Sequence, residues 1–106
     1  MSIFSSVNAN TGVSTMKRYV IERNIPGVGG LDREQLKGAA AKSNDALAKF
    51  SGKVQWEQSF VVDDKTFCIY RANDEAAIRD HAQMSGFPAN KITEVKTVID
   101  PMTANA

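Results

Sequence analysis

The chain has 106 residues, with 13 Lys and Arg against 12 Asp and Glu and a single His, so its formal net charge is +1. This size predicts one domain, and this charge balance excludes a strongly basic nucleic-acid-binding protein, because no excess of cations is present to neutralise phosphates. One Cys excludes an internal disulfide and a zinc site built from several cysteines, and one His excludes a multi-histidine metal centre within a single chain.

The amino-terminal segment, residues 1–15, is rich in Ser, Asn and Thr and carries no charged side chain. It lacks the basic start and the apolar run of a secretory signal, so we predict a flexible tail and a cytoplasmic protein. No apolar stretch approaches the roughly 18 residues of a membrane span, so no membrane association is expected. Patterned sequence begins at Met16, which could itself be the start of the protein. We predict one domain over residues 16–103 and a short tail over residues 104–106.

The first predicted elements are a strand and a helix. Residues 17–24 are rich in β-branched and aromatic side chains and are followed by a loop of Pro and Gly, as expected of a strand. Asp32 and Gln35 have the spacing of a helix-capping box, and apolar residues then recur every three or four positions. Ser51-Gly52 is predicted to end this helix.

A β-hairpin is predicted next. Over residues 54–62 successive side chains alternate in character, which is typical of a strand, and the alternation would place Glu57 and Ser59 on the face opposite Trp56. A tight turn then leads into a third strand over residues 66–71.

The last predicted elements are a short helix and a fourth strand. Asn73 or Asp74 can cap a helix that runs through Met84 and ends at Gly86, with His81 on its apolar side. Residues 92–99 are β-branched and predict the fourth strand.

The order strand-helix-strand-strand-helix-strand (βαββαβ) is that of the ferredoxin-like α+β fold. In this split βαβ arrangement, a four-stranded antiparallel sheet carries two helices on one face. The strands have large apolar side chains on both faces, so the uncovered face would expose an apolar patch, which usually marks an interface. We therefore predict that two chains pack sheet against sheet as a homodimeric α+β barrel.

Six ordered segments carry a family resemblance. They read VIERNIPG at residues 20–27, WEQSFVVDDK at 56–65, FCIY at 67–70, IRDHA at 78–82, GFPAN at 86–90 and VIDP at 98–101. Together they resemble the bacterial domain-of-unknown-function family numbered 4242, over residues 16–103. The resemblance implies a ferredoxin-like fold, usually dimeric, and for some members the label nickel-binding protein.

Nickel is the cofactor that this resemblance implies. In the nickel-associated members the first strand ends in a His near the position that Asn24 occupies here. His81 is then the one strong nitrogen donor in the chain, because Asn is a weak ligand for nickel. A site would combine His81 with Glu22, with Glu57 or with a second chain.

The candidate ligand-binding residues are Glu22, Asn24, Trp56, Tyr70 and His81, with His81 and Glu22 as the metal ligands. Each has a structural alternative. His81 can act as ligand, acid or base near neutral pH, or simply pack against the sheet. Glu22 can bind a ligand or pair with a cation on an exposed surface. Trp56 and Tyr70 can form the walls of a cavity or belong to the core or dimer interface.

The function that we predict is binding of a small ligand, either nickel or another metal ion or a small organic molecule, at the sheet face of a homodimer. The alternative is an enzyme or a haem-handling protein, because dimeric α+β barrels also include monooxygenase-like and isomerase-like enzymes that act on small hydrophobic ligands. In that alternative His81 would be the acid, the base or the haem ligand.

Overall fold

A computed structural model of the chain describes residues 16–105, and the tail predicted over residues 1–15 lies outside them. The elements are the strands β1 Lys17–Asn24, β2 Val54–Val61, β3 Lys65–Ala72 and β4 Lys91–Glu94 and the helices α1 Arg33–Leu47 and α2 Glu75–Ser85. The strands pair antiparallel in the order β2-β3-β1-β4. The predicted α+β fold, a four-stranded antiparallel sheet with two helices, is confirmed.

Both helices begin and end at residues that satisfy their free backbone groups. The Asp32 carboxylate accepts a hydrogen bond from the Gln35 amide at 2.9 Å, and the Gln35 side chain accepts one from the Asp32 amide at 3.0 Å, so the predicted capping box is present. Asp74 caps α2 with a single bond, because its carboxylate accepts from the Ala77 amide at 2.9 Å, and Gly86 ends the helix with a φ of 81°. Within residues 16–105, no helix combines the length and apolar character needed to cross a membrane.

The two faces of the sheet differ in burial. In β1 and β3 alternate residues are buried beneath the helices, and the residues between them are partly exposed. The helix-covered face includes Tyr19, Ile21, Arg23, Val54, Trp56, Cys68 and Tyr70. The opposite face, called the open face below, includes Val20, Glu22, Phe60, Phe67 and Ile69. The core therefore lies between the helix-covered face and Ile78 of α2, which is fully buried.

The alternation predicted for β2 is wrong beyond Trp56. Trp56 and Gln58 pair with neighbouring residues of β3, so Glu57 is the extra residue of a β-bulge. As a result Ser59, and not Gln58, follows Trp56 on the helix-covered face, and the Trp56 indole N–H donates to Ser59 Oγ at 2.9 Å. Glu57 bonds instead to Arg18 of β1, with its Oε1 2.8 Å from Arg18 Nε.

The fourth strand is shorter than the predicted residues 92–99 and ends at Glu94. β4 pairs with β1 alone, and Arg18, the second residue of β1, accepts the hydrogen bond from the Val95 amide at 2.8 Å. Within residues 16–105, the residues beyond Val95 have no neighbouring strand to pair with, since β1 begins at Lys17, one residue before Arg18. Ile99 is accordingly 75% exposed.

Candidate functional site

Three of the five predicted ligand-binding residues lie together between the sheet and the helices. The rings of Trp56 and Tyr70 are stacked with centroids 6.3 Å apart and an interplanar angle of 17°. The centroid of His81 lies 5.3 Å from that of Tyr70. Trp56 and Tyr70 face each other because they are paired residues of β2 and β3, while His81 reaches Tyr70 from α2.

The other two predicted residues, Glu22 and Asn24, lie apart from these three. Glu22 belongs to the open face, where its carboxylate is 3.5 Å from Lys65 Nζ. Asn24 is exposed at the end of β1, and its backbone N–H donates to the Asn90 side chain at 2.7 Å. The sheet therefore separates Glu22 from His81, and the five residues form no single cluster in one chain.

His81 is fully buried. Its Nε2 lies 3.5 Å from the carbonyl oxygen of Ser43 on α1, and its ring contacts the edge of Phe50 with centroids 5.9 Å apart. Burial lowers the pKa of the His81 imidazole below its ordinary value, and the nearby charge of Arg23 acts in the same direction. The His81 imidazole is therefore neutral at physiological pH, and its Nδ1 has no hydrogen-bond partner among the described residues.

The donor set does not fit nickel within one chain. Among residues 16–105 no group of three or more His, Cys, Asp and Glu side chains is placed to hold a metal ion. His81 is enclosed by aromatic rings, and Glu22 lies across the sheet from it. A single imidazole without a second donor is a poor site for a metal that prefers several nitrogen ligands.

A pocket of about 260 Å³ lies between α1 and the helix-covered face. Most of its walls are apolar side chains. They include Ile25, Leu31, Leu36, Ala40, Val61 and Phe87. The volume is close to the lower end of the range for small-molecule pockets, about 300–1,000 Å³.

Small side chains of α1 create this pocket. A cavity at this place was not predicted from the sequence. Ala39, Ala40 and Ser43 lie over the sheet where larger residues would fill the space between the layers. The signal was the run of one Gly and three Ala at residues 38–41, which is unusually small for the inner face of a helix on a sheet. In the folded chain, Ala39 and Ala40 of this run line the same pocket as Trp56 and Tyr70.

Hydroxyl groups supply part of the polar lining. The Tyr70 and Ser43 hydroxyls are 3.3 Å apart, and Thr66 Oγ1 lies 3.4 Å from Cys68 Sγ. Burial raises the pKa of the Tyr70 phenol, so Tyr70 keeps its proton and can donate a hydrogen bond at neutral pH. Cys68 is a free cysteine and is only 5% exposed.

Arg23 lines the pocket as well, and it was not among the residues predicted from the sequence. It projects from β1 onto the helix-covered face and lines the pocket, although its exposed fraction is only 2%. Its Nη1 donates to the carbonyl oxygen of Pro88 at 2.7 Å. Its Nη2 has no hydrogen-bond partner among the described residues.

Comparison with known proteins finds a family model and a solved structure that match this chain. A family model described as "Nickel responsive protein SCO4226-like" matches residues 19–95. Among solved structures, the crystal structure of SCO4226 from Streptomyces coelicolor A3(2) matches with a TM-score of 0.62 and 21% sequence identity, covering 77% of this chain and 99% of that chain. This likeness supports the fold. Among curated proteins, none matches the chain.

Proposed function

The chain belongs to the SCO4226-like family of nickel responsive proteins, and from this premise we propose that it binds a small organic molecule in the pocket between α1 and the sheet. The observation that carries the proposal is the pocket itself, with apolar walls and a few polar groups. The family description names a response to nickel. None of the described residues that line this pocket carries an imidazole or a carboxylate, so the proposal assigns no metal to the pocket.

The lining favours a ligand with a flat apolar body. Trp56 and Tyr70 both contribute aromatic side chains to the lining, and their rings are stacked at 17°. Leu36 and Ala40 of α1 also line the pocket. Burial of apolar ligand surface between these layers supplies the affinity, and the Tyr70 hydroxyl supplies orientation.

Replacing Ala40 by phenylalanine is expected to weaken ligand binding strongly while the domain stays folded. Ala40 lines the pocket, so a benzyl group would occupy the space that the ligand needs. Ligand-observed NMR with small neutral aromatic fragments measures this. Fragments should compete with one another for a single site in the natural protein, and their affinity should fall at least about tenfold in Ala40→Phe.

The matched control is Ala41→Phe, which adds the same group to the next residue of α1. Ala41 is exposed, so this variant should bind the fragments as the natural protein does. The proposal is contradicted if no fragment binds the natural protein, or if Ala40→Phe and Ala41→Phe bind equally well.

We also propose that two chains form a homodimer through their open faces. Phe60 is 53% exposed, and it lies beside Phe67 of β3. Val20 and Ile69 continue the apolar patch, because they are paired residues of β1 and β3. A two-fold axis through this patch would bring the same apolar side chains of both copies together, as an isologous interface requires.

Light scattering coupled to size-exclusion chromatography tests the dimer. The natural protein should elute at twice the 11.5 kDa chain mass, and Ile69→Glu should elute as a monomer because it places a charge in the centre of the patch. Met84→Glu on α2 is the control, since Met84 is 51% exposed and lies away from the open face. A monomeric natural protein would refute the dimer.

A further inference from the structure

We infer that the ligand of this pocket is a small organic anion, specifically a carboxylate with a flat apolar body, and that Arg23 binds its charged group. The inference rests on the proposed function, because it names the class of molecule that the same pocket holds.

Arg23 carries a buried charge that no carboxylate among the described residues balances. At 2% exposure the guanidinium has little contact with water, and such groups are normally paired with an acid. Among the described residues, the ion pairs join other cations and leave Arg23 out. Its protein contacts include the carbonyl oxygens of Phe87 and Pro88, at 3.5 Å and 2.7 Å, and the face of the Tyr70 ring, 5.7 Å from the guanidinium carbon.

The hydrogen-bonding capacity of Arg23 is also incomplete. The carbonyl oxygens occupy Nη1, whereas Nη2 is buried without a partner in the described part of the chain. A guanidinium donates most strongly to a carboxylate, which accepts two parallel N–H bonds. A ligand carboxylate in the pocket would therefore supply both the missing charge and the missing acceptor.

The rest of the pocket is suited to an anion. Arg23 is the one charged side chain among the described residues that line it, so no acidic group there repels a carboxylate. The Tyr70 hydroxyl lies on the same face as Arg23 and keeps its proton, so it adds a neutral donor. A metal cation would instead meet an unscreened positive charge. The polar groups and the stacked rings together describe an aromatic or similarly flat carboxylic acid.

The test compares naphthalene-2-carboxylate with naphthalene-2-carboxamide, which has nearly the same shape without the charge. The acid is ionised at pH 7.5. Calorimetric titration should show at least about tenfold tighter binding of the acid by the natural protein. In Arg23→Met, which keeps an unbranched side chain, affinity for the acid should fall about 10- to 100-fold. Affinity for the amide should change less than about threefold.

Arg79→Met is the control, since Arg79 lies on the exposed surface of α2 and pairs with Glu75. It should leave both affinities unchanged. Equal binding of acid and amide by the natural protein overturns the inference while the proposed function stands. Binding of neither compound contradicts the proposed function itself.

Arg23→Lys keeps the test decisive if Arg23→Met does not fold. It retains the charge and removes the planar fork, so the preference for the acid should fall at least about threefold. An unchanged preference in Arg23→Lys and in Arg23→Met, with circular dichroism showing folded protein, would also overturn the inference.

Discussion

Replacing Gly29 by alanine is expected to lower the free energy of unfolding by about 3 kcal/mol, at the upper end of what overpacking usually costs. A Cβ atom at this position would lie 2.5 Å from the carbonyl oxygen of Val62 and 2.8 Å from the Cα of Asp63. Both are backbone atoms, so no side-chain rotation relieves the clash. The loop after β1 must then move away from the hairpin of β2 and β3.

This contact also shapes one end of the pocket. The Gly29 amide donates to the carbonyl oxygen of Asp63 at 2.9 Å, and the Gly27 amide donates to the Asp64 carboxylate at 2.9 Å. The turn held in this way carries Val28 and Leu31, which line the pocket. We therefore expect Gly29→Ala to weaken ligand binding as well.

Gly30→Ala is the matched control in the same turn. A Cβ atom on Gly30 would meet nothing within 4 Å, so the free energy of unfolding should change by less than about 0.5 kcal/mol. Chemical denaturation of the three proteins measures the difference. Equal stability of Gly29→Ala and Gly30→Ala would show that the loop does not approach the hairpin this closely.

The second large effect is a loss of stability below neutral pH that originates at His81. Burial lowers the pKa of His81 in the folded protein below the unfolded value of about 6.5. The stability that the neutral His81 side chain contributes is therefore fully present above about pH 6.5. It decreases as the pH falls toward the folded pKa, because the unfolded chain takes up a proton that the folded chain does not. The slope reaches at most about 1.4 kcal/mol per pH unit.

Denaturation between about pH 5 and pH 7 isolates this effect, because ordinary carboxylates titrate below that range. The variant His81→Gln cannot titrate and can still donate to the Ser43 carbonyl oxygen, which lies 3.5 Å from His81 Nε2. Its stability should be nearly constant over the same interval. A slope that persists unchanged in His81→Gln would assign the effect to another group, and a flat profile in the natural protein would contradict the account.

Local signals in the sequence sufficed for most of the fold. Asp32 with Gln35 marked the start of α1, and Gly86 marked the end of α2, because caps and breakers depend on adjacent residues. The bulge at Glu57 was not predictable in this way. It is stabilised by Arg18 from β1, 39 residues away in the sequence, and it reverses which residues of β2 face the helices. The early end of β4 likewise depends on where β1 begins.

The site was harder to predict than the fold. Trp56 and Tyr70 were predicted as possible walls of a ligand site, but their stacking on each other follows from the pairing of β2 with β3, which the sequence alone did not give. Glu22 and Arg23 are adjacent in the sequence and yet lie on opposite faces of the sheet. The choice of Glu22 as a ligand-binding residue therefore selected the open face, whereas the pocket lies on the helix-covered face with Arg23. The space above Tyr70 arises from the small residues of α1, and a run of small residues indicates a cavity only once the residues packed opposite it are known.

The central claim, that the pocket between α1 and the sheet holds a small organic acid, is tested most directly by NMR. The ¹⁵N-labelled protein is titrated with naphthalene-2-carboxylate, and the shifted amide resonances are mapped on the fold. We expect the largest shifts at Arg23, at residues 36–43 of α1 and at residues 66–70 of β3, which surround the pocket. Shifts confined to the open face or to residues 95–105, or no shifts at all, would contradict the claim.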